Sequence, residues 1–161
     1  MDILHWLNDT LGGEFCFTVL VSMIPVIELR GGIPFGVSVG LPVWMAYLAA
    51  IIGNMLPVPF IVVYIRRIFQ WMRRHLPRLN HLVSKLEEKA HLKGKKVTKY
   101  KYLGLAIFVA IPLPGTGAWT GALAAAFLDM PLRKALPSIF AGVLVAGVAI
   151  SILTFGVANL F

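Results

Sequence analysis

The sequence holds a single cysteine, Cys16, which excludes an intrachain disulfide. Cys16 lies in an apolar run and reads as an inert packing residue. Acidic residues are scarce, seven in 161. His75, His81 and His91 lack cysteine or carboxylate company at metal-ligand spacing, and His5 is isolated, so no metal and no cofactor is expected. No His/Asp nucleophile pair is recognisable either, which argues against an enzyme acting on lipid phosphate. The first 29 residues contain no lysine or arginine. A cleavable signal needs a basic n-region, and Met1-Asp2 is acidic instead, so none is predicted.

Apolar surface is abundant. The chain is 58% hydrophobic and 14% charged, with a mean hydropathy of +0.82. An average soluble domain is roughly 25% charged. A chain of this size cannot bury so much apolar surface in a core of its own, so lipid is its solvent. The length fits one membrane domain.

The charge is concentrated. The formal net charge is +8, and twelve of the fifteen Lys/Arg fall between Arg66 and Lys101, opposed only by Glu87 and Glu88. A basic segment can bind nucleic acid. The stronger reading is a cytoplasmic loop held by the positive-inside rule and touching anionic lipid headgroups, with no nucleic acid involved. At the other extreme, Ile3, Leu4, Leu7 and Leu11 share one helical face with Trp6 nearby, which predicts a short interfacial amphipathic helix over 1–12.

Two halves repeat the same order of elements. Pro42, Ala46 and Gly53 recur as Pro131, Ala135 and Gly142, each 89 positions later, and Pro25 recurs as Pro112, 87 positions later. Each half reads as a broken apolar stretch, a proline and one long apolar helix. The prediction is an all-α integral membrane fold of two inverted repeats. Its segments are a re-entrant hairpin over 14–40, a span over 42–65, a basic loop over 66–101, a second hairpin over 102–128 and a span over 131–159. Charge favours hairpins over full crossings. Only then do the basic loop and Arg133-Lys134 share the cytoplasmic side, with both termini outside. Asp129 is expected to cap the helix beginning at Pro131.

The breaks carry the chemistry. The first contains Pro25, Glu28, Arg30, Gly31, Gly32 and Pro34; the second contains Pro112, Pro114, Gly115, Thr116, Gly117, Trp119 and Thr120. Ionisable groups at membrane depth mark function, and paired helix breaks in two halves point to a transporter binding site. Glu28 suits proton coupling. Arg30 suits a phosphate or carboxylate, with open amides at Gly31 and Gly32 to assist. A second possibility is that Glu28 and Arg30 simply neutralise each other. The second tip offers amides and the Thr116 and Thr120 hydroxyls, and Trp119 offers a stacking face or an interfacial anchor. Asn54, within the first span, reads as an interhelical hydrogen bond or a ligand contact.

Glu28-Leu29-Arg30-Gly31-Gly32-Ile33-Pro34 and Pro112-Leu113-Pro114-Gly115-Thr116-Gly117-Ala118-Trp119-Thr120-Gly121 resemble the two signature segments of the putative small multidrug export protein family. The resemblance covers nearly the whole chain. That family is distantly similar to the DedA (VTT-domain) superfamily. The likeness implies facing re-entrant hairpins and a role in moving polyprenyl phosphate carriers. The chain departs from the DedA pattern in two respects. The turn Pro114-Gly115-Thr116 lacks an acid, and Glu28 and Arg30 sit together in the first half, which leaves Arg133 as the candidate for a second-half arginine. The combined expectation is a non-enzymatic inner-membrane transporter or exporter, proton-coupled and homodimeric. Its cargo would be an anionic amphiphile such as a lipid phosphate carrier or a small molecule. The alternative is a membrane scaffold or lipid-organising protein, which needs no titratable tip.

Overall fold

A computed structural model describes residues 10–75, 94–113 and 116–158. Most of the interfacial helix expected over 1–12, His81 and His91, much of the basic loop, and Pro114 and Gly115 lie outside these residues.

Seven helices are described: α1 (Leu11–Ser22), α2 (Glu28–Ser38), α3 (Val43–Met55), α4 (Val58–His75), α5 (Gly94–Ala110), α6 (Ala118–Phe127) and α7 (Leu132–Ala158). Thr10 starts α1 by accepting a hydrogen bond from the Gly13 amide at 3.1 Å. α3 and α4 form one long rod interrupted at Pro57, whose missing N–H breaks the backbone ladder. Two stretches, Val43–Ile68 and Leu132–Gly156, are long and apolar enough to cross a membrane, with mean hydropathies of 2.1 and 2.3. Only 39% and 28% of their most apolar windows are buried within the protein. A core helix of a soluble protein would be mostly covered, so these faces belong against lipid.

The basic segment is partly helical. α4 continues through Arg66 and Arg67 to His75, and α5 begins at Gly94, because Lys and Arg propagate a helix well and neither 66–75 nor 94–101 holds a proline. Cys16 is exposed, not a buried packing residue as the apolar run suggested: its neighbours Phe17 and Leu20 also face outward from α1.

Helices α1, α2 and α3 pack together, as do α5, α6 and α7. The halves interlock, α2 against α7 and α6 against α4. Both bundles are built on small residues. A Cβ added to Gly53 would strike the Val19 carbonyl, and one on Gly142 would strike that of Ala106. Gly32 faces Ser22 and Ala50, and Gly121 faces Val109 and Ile139. Every one of these partners recurs 87 or 89 positions later, at the spacing read from the prolines. Gly147 similarly lets the Tyr47 ring approach α7, where the Tyr47 hydroxyl donates to the Leu144 carbonyl at 3.1 Å.

Each hairpin folds back to the end where it began. Glu14, early in α1, lies beside Gly40, just past α2. The Lys134 ammonium at the start of α7 stands 5.4 Å from the Tyr102 ring, midway along α5 where the second apolar stretch begins, with Lys101 at 5.2 Å from the same ring. The turns match as well: Gly40 has φ +108° and Asp129, 89 positions later, has φ +50°. Asp129 does not act as the expected cap. Its left-handed backbone turns its carboxylate to Arg66 Nε at 2.6 Å, which ties the middle of α4 to the second hairpin. Both groups are partly exposed, so the pair contributes about 0–1 kcal/mol. Relief of a left-handed non-glycine residue is of similar size. Asp129→Gly should therefore melt within about 3 °C of the parent protein. Asp129→Val, β-branched at positive φ, should melt clearly lower; equal melting of the two variants would contradict the turn geometry.

Candidate functional site: a tip-to-tip junction

The tips of the two hairpins meet. The chain between α1 and α2 is tight, with the Ile27 and Glu28 amides both donating to the Ile24 carbonyl. Glu28 then opens α2 with φ +49°, a conformation that costs an ordinary residue about 1 kcal/mol or more. That turn sends its side chain across to the other hairpin. The Glu28 carboxylate is only 6% exposed and sits on Gly117, where no Cβ could fit. Its Oε1 accepts from the Trp119 amide at 3.2 Å.

This bond has a clear physical role. Gly117 is the N-cap of α6 and has no side chain to satisfy the helix's free N–H groups. Thr120 supplies one partner, its hydroxyl accepting from the Gly117 amide at 2.9 Å. Glu28 supplies another from the opposite hairpin, and a carboxylate at a helix N-terminus also meets the positive end of the dipole.

Arg30 reaches the same segment. Its guanidinium donates to the Thr116 carbonyl and, at 3.0 Å, to the Thr116 hydroxyl. Thr116 is itself fixed: its hydroxyl accepts from the Leu113 amide at 3.2 Å and lies 2.6 Å from the Ile111 carbonyl. A fourth bond between the hairpins runs from the Trp119 indole N–H to the Met23 carbonyl at 3.2 Å. Arg30 and Trp119 stand 89 positions apart, as do Glu28 and Gly117. Repeat-equivalent residues thus reach across to the opposing break. The charge-assisted bonds of Glu28 and Arg30 contribute about 1.5–3 kcal/mol each, the neutral Trp119–Met23 bond less.

The junction therefore gathers Glu28, Arg30, Thr116, Gly117, Trp119 and Thr120. Other expected site residues lie elsewhere. The reading of Gly31 and Gly32 as part of a non-helical tip with open amides is corrected: both are inside α2, the Gly31 amide is bonded to the Ile27 carbonyl, and Gly32 packs on α1. Pro34 is also inside α2 and exposed, and Pro112 is exposed in the second break. Asn54 is fully buried in α3, with neither side-chain atom hydrogen-bonded. Arg133 is exposed in the first turn of α7, separated from the junction by the length of α6. A groove of about 430 Å³ lined by Val43, Trp44, Tyr47, Val148, Ser151 and Ile152 lies between α3 and α7 and shares no residue with the junction.

The Glu28–Trp119 cap and the Trp119–Met23 bond were not foreseen from sequence. The 89-residue spacing held the signal, since it pairs Glu28 with a glycine and Arg30 with a tryptophan.

A family model described as Putative small multi-drug export protein matches residues 28–149, a stretch that begins at Glu28 and contains both breaks. No curated protein and no solved structure matches the chain.

Proposed function

The chain belongs to the small multi-drug export protein family, and from that premise we propose that it carries an anionic amphiphile across the inner membrane in exchange for protons. The observation that carries this reading is the buried Glu28 carboxylate and the half-buried Arg30 guanidinium that together clasp the start of α6. Buried charge is a poor source of stability, so its place at the junction of two broken helices favours a moving part.

The steps follow from the bonds. With Glu28 ionised, its carboxylate caps α6 and the tips stay closed. A proton on Glu28 weakens that cap, because a neutral acid is a poorer acceptor and no longer meets the helix dipole. The tips part, and Arg30 and the α6 amides become available to an anionic headgroup. In this reading the hairpins are re-entrant and the halves are inverted repeats, which the fold-back of each hairpin and the recurrent contacts support. The basic loop faces the cytoplasm against anionic lipids, both termini face outward, and two copies work together because so few membrane segments enclose little volume. The reading extends the DedA likeness to a phosphate-bearing cargo.

Reconstituted vesicles test it. With hexyl phosphate outside and a pH dye inside, protein-containing liposomes should show phosphate uptake and proton movement above empty ones. Rates equal to empty vesicles, or preferred movement of a lipophilic cation, would overturn the reading.

A further inference from the structure

Four polar or charged residues are buried among those described: Thr18, Ser22, Glu28 and Asn54. Thr18 and Ser22 donate to carbonyls one turn back, those of Glu14 and Thr18, both at 2.7 Å. Glu28 is bonded to α6. Asn54 differs: it is 0% exposed, and both Oδ1 and Nδ2 lack a partner. An orphaned buried amide is destabilising, because it has left water without gaining a partner.

Register places Asn54 at the junction. Residues 46, 50, 54, 58 and 62 form one fully buried ridge along α3 and α4. Ala46 meets Gly36 of α2, and Ala50 meets Gly32. One further antiparallel step of four sets Asn54 level with Glu28, where α2 begins and α6 abuts it. Beyond that level the ridge passes onto α6, through the packing of α4 on α6. The position equivalent to Asn54 in the second half is Val143, also fully buried. A valine therefore suits this place in the fold, and the amide is the exception.

We propose that Asn54, Arg30 and the α6 N-terminus form an oxyanion site, and that the Glu28 carboxylate holds the α6 N–H of that site in the closed protein, a partial substitute for cargo that does not reach the Asn54 amide. The carboxylate already makes the contact a phosphate would make, to a backbone N–H in the first turn of a helix. Arg30 presents a guanidinium to the same segment. When Glu28 leaves, an incoming phosphate takes the Trp119 N–H and Arg30, and the Asn54 amide gains the partner it lacks. The site explains why an unsatisfied amide is retained where the sister half carries valine.

This inference rests on the transport reading but is tested apart from it, by binding to the purified full chain in neutral detergent. The readouts are melting temperature and its shift with hexyl phosphate or inorganic phosphate. Asn54→Val should melt higher than the parent and bind hexyl phosphate at least about tenfold more weakly. Asn54→Ala should show the same loss of binding. Glu28→Gln, with the competing charge removed, should bind about tenfold more tightly. Binding of inorganic phosphate as well as hexyl phosphate would mark a site for the free anion; binding of hexyl phosphate alone would mark an amphiphile's headgroup; either supports the site. Lower melting of both Asn54 variants would make the amide a structural bond and overturn the proposal. Unchanged affinity in those variants, no tighter binding by Glu28→Gln, or no binding at all would also overturn it. If these shifts appear while vesicles show no flux, the site stands and the transport reading fails; flux without the shifts gives the reverse.

Discussion

Glu28→Gln and Arg30→Ala are expected to abolish transport while the helices stay assembled. Each removes one half of the clasp. Gln at position 28 still offers an oxygen to the Trp119 amide, so α6 keeps a weakened cap, but the group no longer ionises and proton coupling is lost. Ala at position 30 removes both bonds to Thr116. The Thr116 hydroxyl keeps its links within the second break, so the local turn survives. The loss to stability should be about 1–3 kcal/mol for Arg30→Ala and smaller for Glu28→Gln. The loss of flux should be at least about 100-fold for both, equivalent to ~2.7 kcal/mol of barrier. Initial rates in liposomes, with circular dichroism to show retained helix, check this. Parental rates in either variant would remove Glu28 or Arg30 from the mechanism.

The second large effect is structural. Gly53→Val should prevent accumulation of folded protein, because its Cβ would fall on the Val19 carbonyl. Backbone cannot rotate aside as a long side chain can, so α1 and α3 must separate. Gly142→Val should behave alike through the Ala106 carbonyl. Overpacking of a close-packed core costs about 1–3 kcal/mol, and more where the obstacle is backbone. Gly104 is the internal control. It has nothing within 4 Å, so Gly104→Ala should be neutral or slightly stabilising through helix propensity. Yields and melting temperatures decide the matter: if Gly53→Val matches Gly104→Ala, the close approach of α1 and α3 is wrong.

These two predictions draw on different amounts of what the sequence discloses. The long apolar rods and the paired breaks were legible because run length and proline clusters are local properties. The packing glycines were legible in part, since Gly53 and Gly142 recur at the repeat spacing. The course of α2 was not. Gly31, Gly32 and Pro34 lower helix propensity, yet α2 runs through them because Gly32 fits against Ser22 and Ala50. Packing outweighed propensity, at the loss of one backbone bond at Pro34. The clasp lay beyond local reading because its partners stand 86 to 96 residues apart. Glu28 was legible as a charge out of place, whereas its use as a cap for α6 required knowing that Gly117 faces it. Asp129 was misread for a related reason: its positive φ turns the carboxylate toward Arg66 instead of the following helix.

All of this depends on hairpins that turn back within the bilayer, so that the two tips can meet. Side-specific labelling of single cysteines tests it most directly, with Arg67→Cys and Arg133→Cys each placed in a Cys16→Ser background. Both positions are exposed, one on α4 near the end of the first apolar stretch and one just after the second hairpin. An impermeant thiol reagent should reach both from the same face of the membrane, the cytoplasmic one. Labelling from opposite faces would mean that residues 102–128 cross the membrane, and the junction of Glu28 and Arg30 with the second tip could not stand.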